Sequence, residues 1–428
     1  MRRRTDIAHD LSASILMTLA EFAGQSVQWS RSLADAGLTA AVVALLGTDN
    51  ALAVQRVPKR DERSLLARRA WAARLLVVLV TQVPDLALIF VRAGVVAKLE
   101  AMLSLDWDGD WDRSTDNPSV SGKASSSPIK SNATHASEAS CGFGFGDDLP
   151  HGIAPVGPWP DEAHAIATCG WRRCETSDCA AACVASACEA LGALASADGQ
   201  VLQHIAAHTR SLSGIVGVLP ARRRRRTYEG TSTRPSERQP VRRADVRAGA
   251  VLSAVADAIC AFAGDSIGES AMPPNVALKL SVVLHDTAVS RDVLRRTARA
   301  LGVLGYGNAK LASVVLASGC VPLLVDMAET ASSAETPASR IGGDEGKDKP
   351  IPDSGSPPLS LSLRGCAAEA LGNLAHENEK AILAIRSAGG ESALARLLRD
   401  TNDPKVGELD RQCAAVALES LNSADAVA

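Results

Sequence analysis

Apolar residues recur along this chain in one fixed pattern. In ALGNLAHENEKAILAIRSAGGESALARLL (370–398), Ala370, Leu371, Leu374 and Ala375 sit at i, i+1, i+4 and i+5, which is one apolar stripe of a helix. A polar joint follows, and thirteen residues after Ala375 comes Ala388-Gly389, then Leu394, Leu397 and Leu398. The same register returns with Leu301, Leu304 and Gly305 before Ser318-Gly319, with Leu76, Leu79 and Val80 before Ala93-Gly94, and with Leu19, Phe22 and Ala23 before Ala36-Gly37. Two copies are degraded: Leu191, Leu194 and Ala195 are followed by His208-Thr209, and Ile259, Phe262 and Ala263 by Val276-Ala277. A seventh copy, around Leu418, stops after its first long helix.

The pattern predicts an all-α chain built of helical repeats, with no room for alternating strands. The leading Leu or Ile falls at 19, 76, 191, 259, 301, 371 and 418, so the shortest gap is 42 residues, inside the period of about 40–47 expected of helical solenoid repeats. Gly37, Gly94, Gly319 and Gly389 stand where one helix ends and the next leaves at a steep angle, a place for positive φ. The next residue varies as Leu38, Val95, Cys320 and Gly390. Replacing Gly389 by valine is therefore expected to do more damage than replacing Gly390. One repeat cannot bury its own apolar faces, whereas stacked copies form a continuous core and leave a long groove.

Three segments interrupt the period, all rich in Ser, Pro, Gly and charge. Segment 104–162 has 10 acidic residues against 3 basic, segment 221–243 has 9 Arg against 2 Glu, and segment 331–358 has 5 acidic against 3 basic. Without helical periodicity they are expected to be disordered insertions. The organisation is then repeats 1–2 over 1–103, a degenerate repeat 3 over 163–220, repeats 4–5 over 244–330, and repeat 6 with a closing half-repeat over 359–428.

Composition fits this plan. Apolar residues make up 46% of the chain but aromatic ones only 3%, so the core must be Ala, Leu and Val packed closely, helix on helix. A net charge of −3 gives no overall attraction to nucleic acid or membrane. The ten cysteines lie mostly in Ala-rich runs and read as small core residues in a reducing compartment. LLVVLV at 75–80 is too short to span a bilayer, and the interrupted apolar N-terminus reads as a first helix rather than a signal peptide.

Residues 367–398, with an Ala-Leu-x-x-Leu helix and Ala-Gly before the last helix, resemble an armadillo repeat. The resemblance implies a right-handed α-solenoid of about six repeats plus a half-repeat, acting as a non-enzymatic, monomeric scaffold that binds a peptide or helix of a protein partner in its groove. In armadillo proteins of the importin alpha type the groove-lining helix carries Trp two residues before the leading Leu and Asn two after it. The earlier position here holds Met17, Arg74, Glu189, Asp257, Arg299, Glu369 and Val416; the later one holds Asn only at Asn373. The groove candidates are thus Met17, Arg74, Glu189, Asp257, Arg299, Glu369 and Asn373. Their mixed signs imply no single charge class of ligand, and the missing Trp/Asn row disfavours the alternative of a nuclear transport adaptor.

Other motifs add less. Arg222, Arg223, Arg224, Arg225 and Arg226, with Arg242 and Arg243 downstream, resemble a bipartite nuclear import signal, so the chain is expected in the cytoplasm with the nucleus as a second location. Nucleic-acid contact is disfavoured because only Tyr228 interleaves the arginines. Cys179, Cys183 and Cys188 fall at helical spacing among alanines and read as core, while Cys169, Cys174 and His164 leave a metal reading open. DWDGDWD at 106–112 has Trp111 and Asn117 where a calcium loop needs Gly and Glu. GFGFG at 142–146 is expected to have neither a preceding strand nor a following helix, so it does not read as a phosphate loop. The eight histidines are scattered and no His-Glu-x-x-His pair is present, so neither catalysis, a cofactor nor a small-molecule substrate is expected.

Overall fold

The computed structural model describes residues 2–47, 59–105, 107, 176–207, 209–220, 243–286, 289–329, 361–400 and 407–423. Among these residues there are helices and no strands. The helices fall into six sets of three and one single: α1 (Arg2–Gln25), α2 (Val27–Asp35) and α3 (Leu38–Leu45); α4 (Lys59–Gln82), α5 (Leu86–Arg92) and α6 (Val95–Leu103); α7 (Thr176–Ala197), α8 (Gly199–Ala207) and α9 (Thr209–Val218). Then come α10 (Arg243–Ala263), α11 (Ser266–Ala271) and α12 (Val276–Leu284); α13 (Arg291–Gly305), α14 (Ala309–Ala317) and α15 (Cys320–Glu329); α16 (Leu363–Ala375), α17 (Glu379–Ser387) and α18 (Gly390–Arg399); and α19 (Glu408–Ser423). The first helix of each set packs on the first helix of the next, from α1 through α4, α7, α10, α13 and α16 to α19. This is an all-α solenoid of six three-helix repeats and a half-repeat.

Local chemistry sets the joints. Three residues past the long-helix stripe stand Ser26, Asp198, Asn308 and Asn378, each accepting backbone N–H bonds at the start of the second helix; Asn308 Oδ1, for example, takes the N–H groups of Lys310 and Leu311, both at 3.0 Å. These are N-caps, which satisfy donors that no intrahelical carbonyl can reach. At the second joint Gly37, Gly94, Gly319 and Gly389 all have φ between 74° and 88°, and α14 meets α15 at 80° across Ser318-Gly319. The degraded copies turn differently. α12 follows Pro273-Pro274 and begins at Val276, with Asn275 at φ −88°, and α9 begins at Thr209 itself.

One expectation about these joints is corrected. Gly390 is buried, and a Cβ there would lie 2.4 Å from Ile385 Cγ2 and 2.9 Å from the Ile385 carbonyl oxygen, whereas a Cβ on Gly389 would meet nothing within 4 Å. Backbone conformation penalises substitution at Gly389, and packing penalises it at Gly390. The two sites are both intolerant, for different reasons.

The core is continuous along the array. Cys179, Cys183 and Cys188 are fully buried in α7, and Cys183 Sγ donates to the Leu66 carbonyl at 2.8 Å. The stretch Ser177–Ala197 is long and apolar enough to cross a membrane by composition, yet 78% of it is enclosed by its neighbours, as a central helix of the array requires. It is the helix on which the spacing of Cys179, Cys183 and Cys188 already pointed to core packing, and it is longer than the apolar run at 75–80. The three insertions fall almost entirely outside the described residues, as do 163–175; Arg243, assigned to an insertion, instead opens α10.

Candidate functional site

The groove positions read from the repeat register come together on the row of long helices. Arg74 (α4) donates from Nη1 to Glu189 Oε2 (α7) at 2.8 Å. Arg296 (α13) donates to Asp257 (α10) and, through Nε, to Asp292 Oδ2 at 2.9 Å. Further along, Arg299 Nε lies 3.8 Å from Glu369 Oε2 on α16. Each ion pair except Arg296–Asp292 joins one long helix to the next, so paired charges of both signs run along the row of long helices.

Arg74, Glu189 and Asp257 also line a single cavity of about 280 Å³, together with Asp292 and Arg296. Small residues also line it, among them Ala185, Gly192, Ala193, Ala254, Ala258 and Ala261. The two positions after the leading residue, Ala193 and Ala261, therefore belong to the site although they are not Asn. Met17 and Asn373 are half-buried on α1 and α16 and are not part of this cavity. Arg222–226 and Arg242 lie outside the described residues.

The electrostatics follow from enclosure. Burial pushes the Glu189 carboxyl upward, against the opposing pull of Arg74, and nearby Asp257 adds to the rise. Burial likewise raises Asp257, with Arg296 opposing. Asp292 ends below its usual value: burial acts to raise it, but Arg296 and Arg295 prevail. Arg296 is held above the ordinary guanidinium value because Asp257 and Asp292 outweigh its burial. The row thus presents partly compensated charge beside small apolar residues.

Asp292 and Arg296 were not legible from the repeat register because they stand nine and five residues before the leading Leu301, outside the positions two residues either side of it. Their i, i+4 spacing was the available signal. Among the described residues no group of three or more His, Cys, Asp or Glu is placed to hold a metal ion; Cys169, Cys174 and His164 lie outside them.

No protein-family model and no curated protein matches this chain. Solved structures do. An engineered protein aligns with 90% of this chain and 98% of its own at 17% identity and a TM-score of 0.51. A designed armadillo repeat protein aligns with 88% of this chain and 100% of its own at 15% identity and a TM-score of 0.45. Another, in complex with the peptide (KR)4, covers 87% and 99% at 14% identity and a TM-score of 0.46. Such identities speak to fold alone. With three helices per repeat, a left-handed glycine joint and stacked long helices, the chain has an armadillo-like repeat fold.

Proposed function

We propose that this chain is a non-enzymatic scaffold that binds an extended segment of a partner protein along the row of long helices. One observation carries the reading: Arg74, Glu189, Asp257 and Arg296, from four consecutive long helices, line one cavity. An extended peptide crossing that row meets charges of both signs beside small apolar residues, a combination suited to reading side chains at intervals. The mixed signs favour a partner segment that carries both signs of charge.

The test is a polarity swap. Arg74→Glu combined with Glu189→Arg keeps the ion pair but reverses it. Proximity labelling with the full chain and with the swapped chain should give different partner sets. Identical sets would overturn the groove assignment. We further place the protein in the cytoplasm and, through its Arg-rich segment, in the nucleus; deleting 224–238 should then abolish nuclear accumulation.

A further inference from the structure

Among the described residues two arginines are buried, Arg69 at 8% and Arg364 at 5% exposure. They share one register position, seven before the leading Leu76 and Leu371. Arg364 on α16 is satisfied by the fold: its Nε donates to the Ala328 carbonyl in the last turn of α15 at 3.1 Å, and its Nη2 donates to Asp400 Oδ2 at 3.0 Å. Asp400 follows α18, eleven residues after the joint glycine Gly389. The residue eleven after Gly94 is Leu105. The repeat that contains Arg69 therefore has an apolar side chain where the repeat of Arg364 has a carboxylate.

Arg69 is left without a counter-charge. Its Nε is buried with no hydrogen-bond partner, and among the described residues no carboxylate pairs with it. Its guanidinium lies over Gly47 at the end of α3, where a Cβ would stand 2.5 Å from Arg69 Nη2 and 2.9 Å from Nε. Lys98 of α6 reaches the same residue and donates from Nζ to the Gly47 carbonyl. Arg68 adds a third positive charge beside Arg69, and its Nε is likewise buried and unpartnered; burial, and then the charge of Arg69, lower its guanidinium from the ordinary value. Capping of α3 does not account for three cations, because the carbonyl end of a helix carries only about half a negative charge. Arg68, Lys98 and Gly47 are half-buried, so the cluster opens to the surface. None of these residues lines the groove cavity.

We infer that Arg68, Arg69 and Lys98 form an anion site at the end of α3 and that its ligand is a phosphate group. The comparison within the chain supplies the chemistry. A buried guanidinium without a counter-charge is unfavourable; Asp400 relieves Arg364 from inside the fold, and nothing equivalent stands beside Arg69. One carboxylate would offset a single positive charge of the three, whereas a phosphate brings close to two negative charges at neutral pH. Its several oxygens can accept from the planar Arg69 fork and from the Lys98 ammonium at once. A free phosphate and a phosphorylated side chain of a partner offer the same group.

Two probes test the site: inorganic phosphate, and phosphoserine capped as its N-acetyl amide. Each is titrated by calorimetry into the full chain at fixed ionic strength, with chloride as the balancing anion. Saturable binding is expected; tighter binding of the capped phosphoserine would assign the group to a phosphorylated partner, and tighter binding of inorganic phosphate to a free ligand. Arg69→Met, which keeps an unbranched apolar stem over Gly47, should weaken binding at least about tenfold, while Arg92→Met, at an exposed position on α5, should not. Leu105→Asp places a carboxylate where repeat 6 has Asp400 and should also weaken binding about tenfold, whereas Leu105→Asn, of the same size without the charge, should not. Should Arg69→Met fail to fold, the two Leu105 variants decide the matter. No saturable binding of either probe, equal weakening by Arg92→Met, or equal binding by the Leu105→Asp and Leu105→Asn chains would overturn the inference.

Discussion

Gly302 of α13 lies against Ala370 of α16 so closely that a Cβ on the glycine would sit 2.6 Å from the Ala370 Cα. The contact is backbone to backbone across two repeats. It recurs between Gly192 and Ala258 and between Gly372 and Ala417, each at 3.1 Å. The glycine directly follows the leading Leu and the alanine directly precedes the next one, so a one-residue offset in sequence sets the spacing of the stacked helices.

Gly302→Val should therefore destabilise the array by about 1–3 kcal/mol or more through overpacking, since the group it meets is main chain and cannot rotate away. Gly217→Ala, on α9 with nothing within 4 Å, should be neutral or stabilising by up to about 1 kcal/mol. Thermal unfolding of the two variants should shift in opposite directions, or only the first should shift. Equal losses would contradict the close contact.

The two adjacent glycines of repeat 6 should respond differently to a second change. Gly389→Val forces a β-branched residue to positive φ, a strain of about 1–3 kcal/mol. Gly390→Val instead collides with Ile385. Ile385→Ala should partly rescue Gly390→Val and leave Gly389→Val unrescued, a coupling that a double-mutant cycle measures. Hydrogen exchange should rise in 361–423 in both single variants and stay unchanged in 12–47. Rescue of Gly389→Val by Ile385→Ala would misplace the joint.

The groove carboxylates make stability depend on pH with a definite sign. Glu189 and Asp257 titrate above their usual values of 4.5 and 3.8 in the fold. The folded chain therefore holds protons there that the unfolded chain has released, and the contribution of these sites falls as pH rises through the window above those values. Asp292, held low, acts in the opposite sense: its contribution is lost as pH drops through its folded value. Glu189→Gln should flatten the slope of melting temperature against pH between about 4.5 and neutrality. An unchanged slope would show that Glu189 is not enclosed as described.

The cysteines should react in the order of their enclosure. Burial raises the Cys183 and Cys188 thiols strongly and the half-buried Cys413 to about 11, while Cys179 is fully buried. Among the described cysteines, native alkylation followed by peptide mass mapping should label Cys413 before Cys179, Cys183 and Cys188, which should be modified only on unfolding. Early labelling of Cys183 would mean that α7 is not the enclosed helix of the array.

The sequence by itself determined the repeat. A thirteen-residue offset between an Ala/Leu stripe and a glycine places the helices, the joints and the number of copies, because helical periodicity and positive φ are properties of a few neighbouring residues. It also named Arg74, Glu189 and Asp257 as groove residues, since a fixed register puts equivalent positions on one face. Only the tertiary structure decided what those residues do to one another. That Arg74 pairs with Glu189, 115 positions away, and that Arg296 joins Asp257 depend on how far each repeat is displaced along the next, which no single repeat encodes. The intolerance of Gly390 and the exposure of Phe22 have the same origin. Phe22 holds the position that Leu374 holds, and local sequence treats the two alike; burial differs because, among the described residues, a repeat packs in front of Leu374 and none packs in front of Phe22.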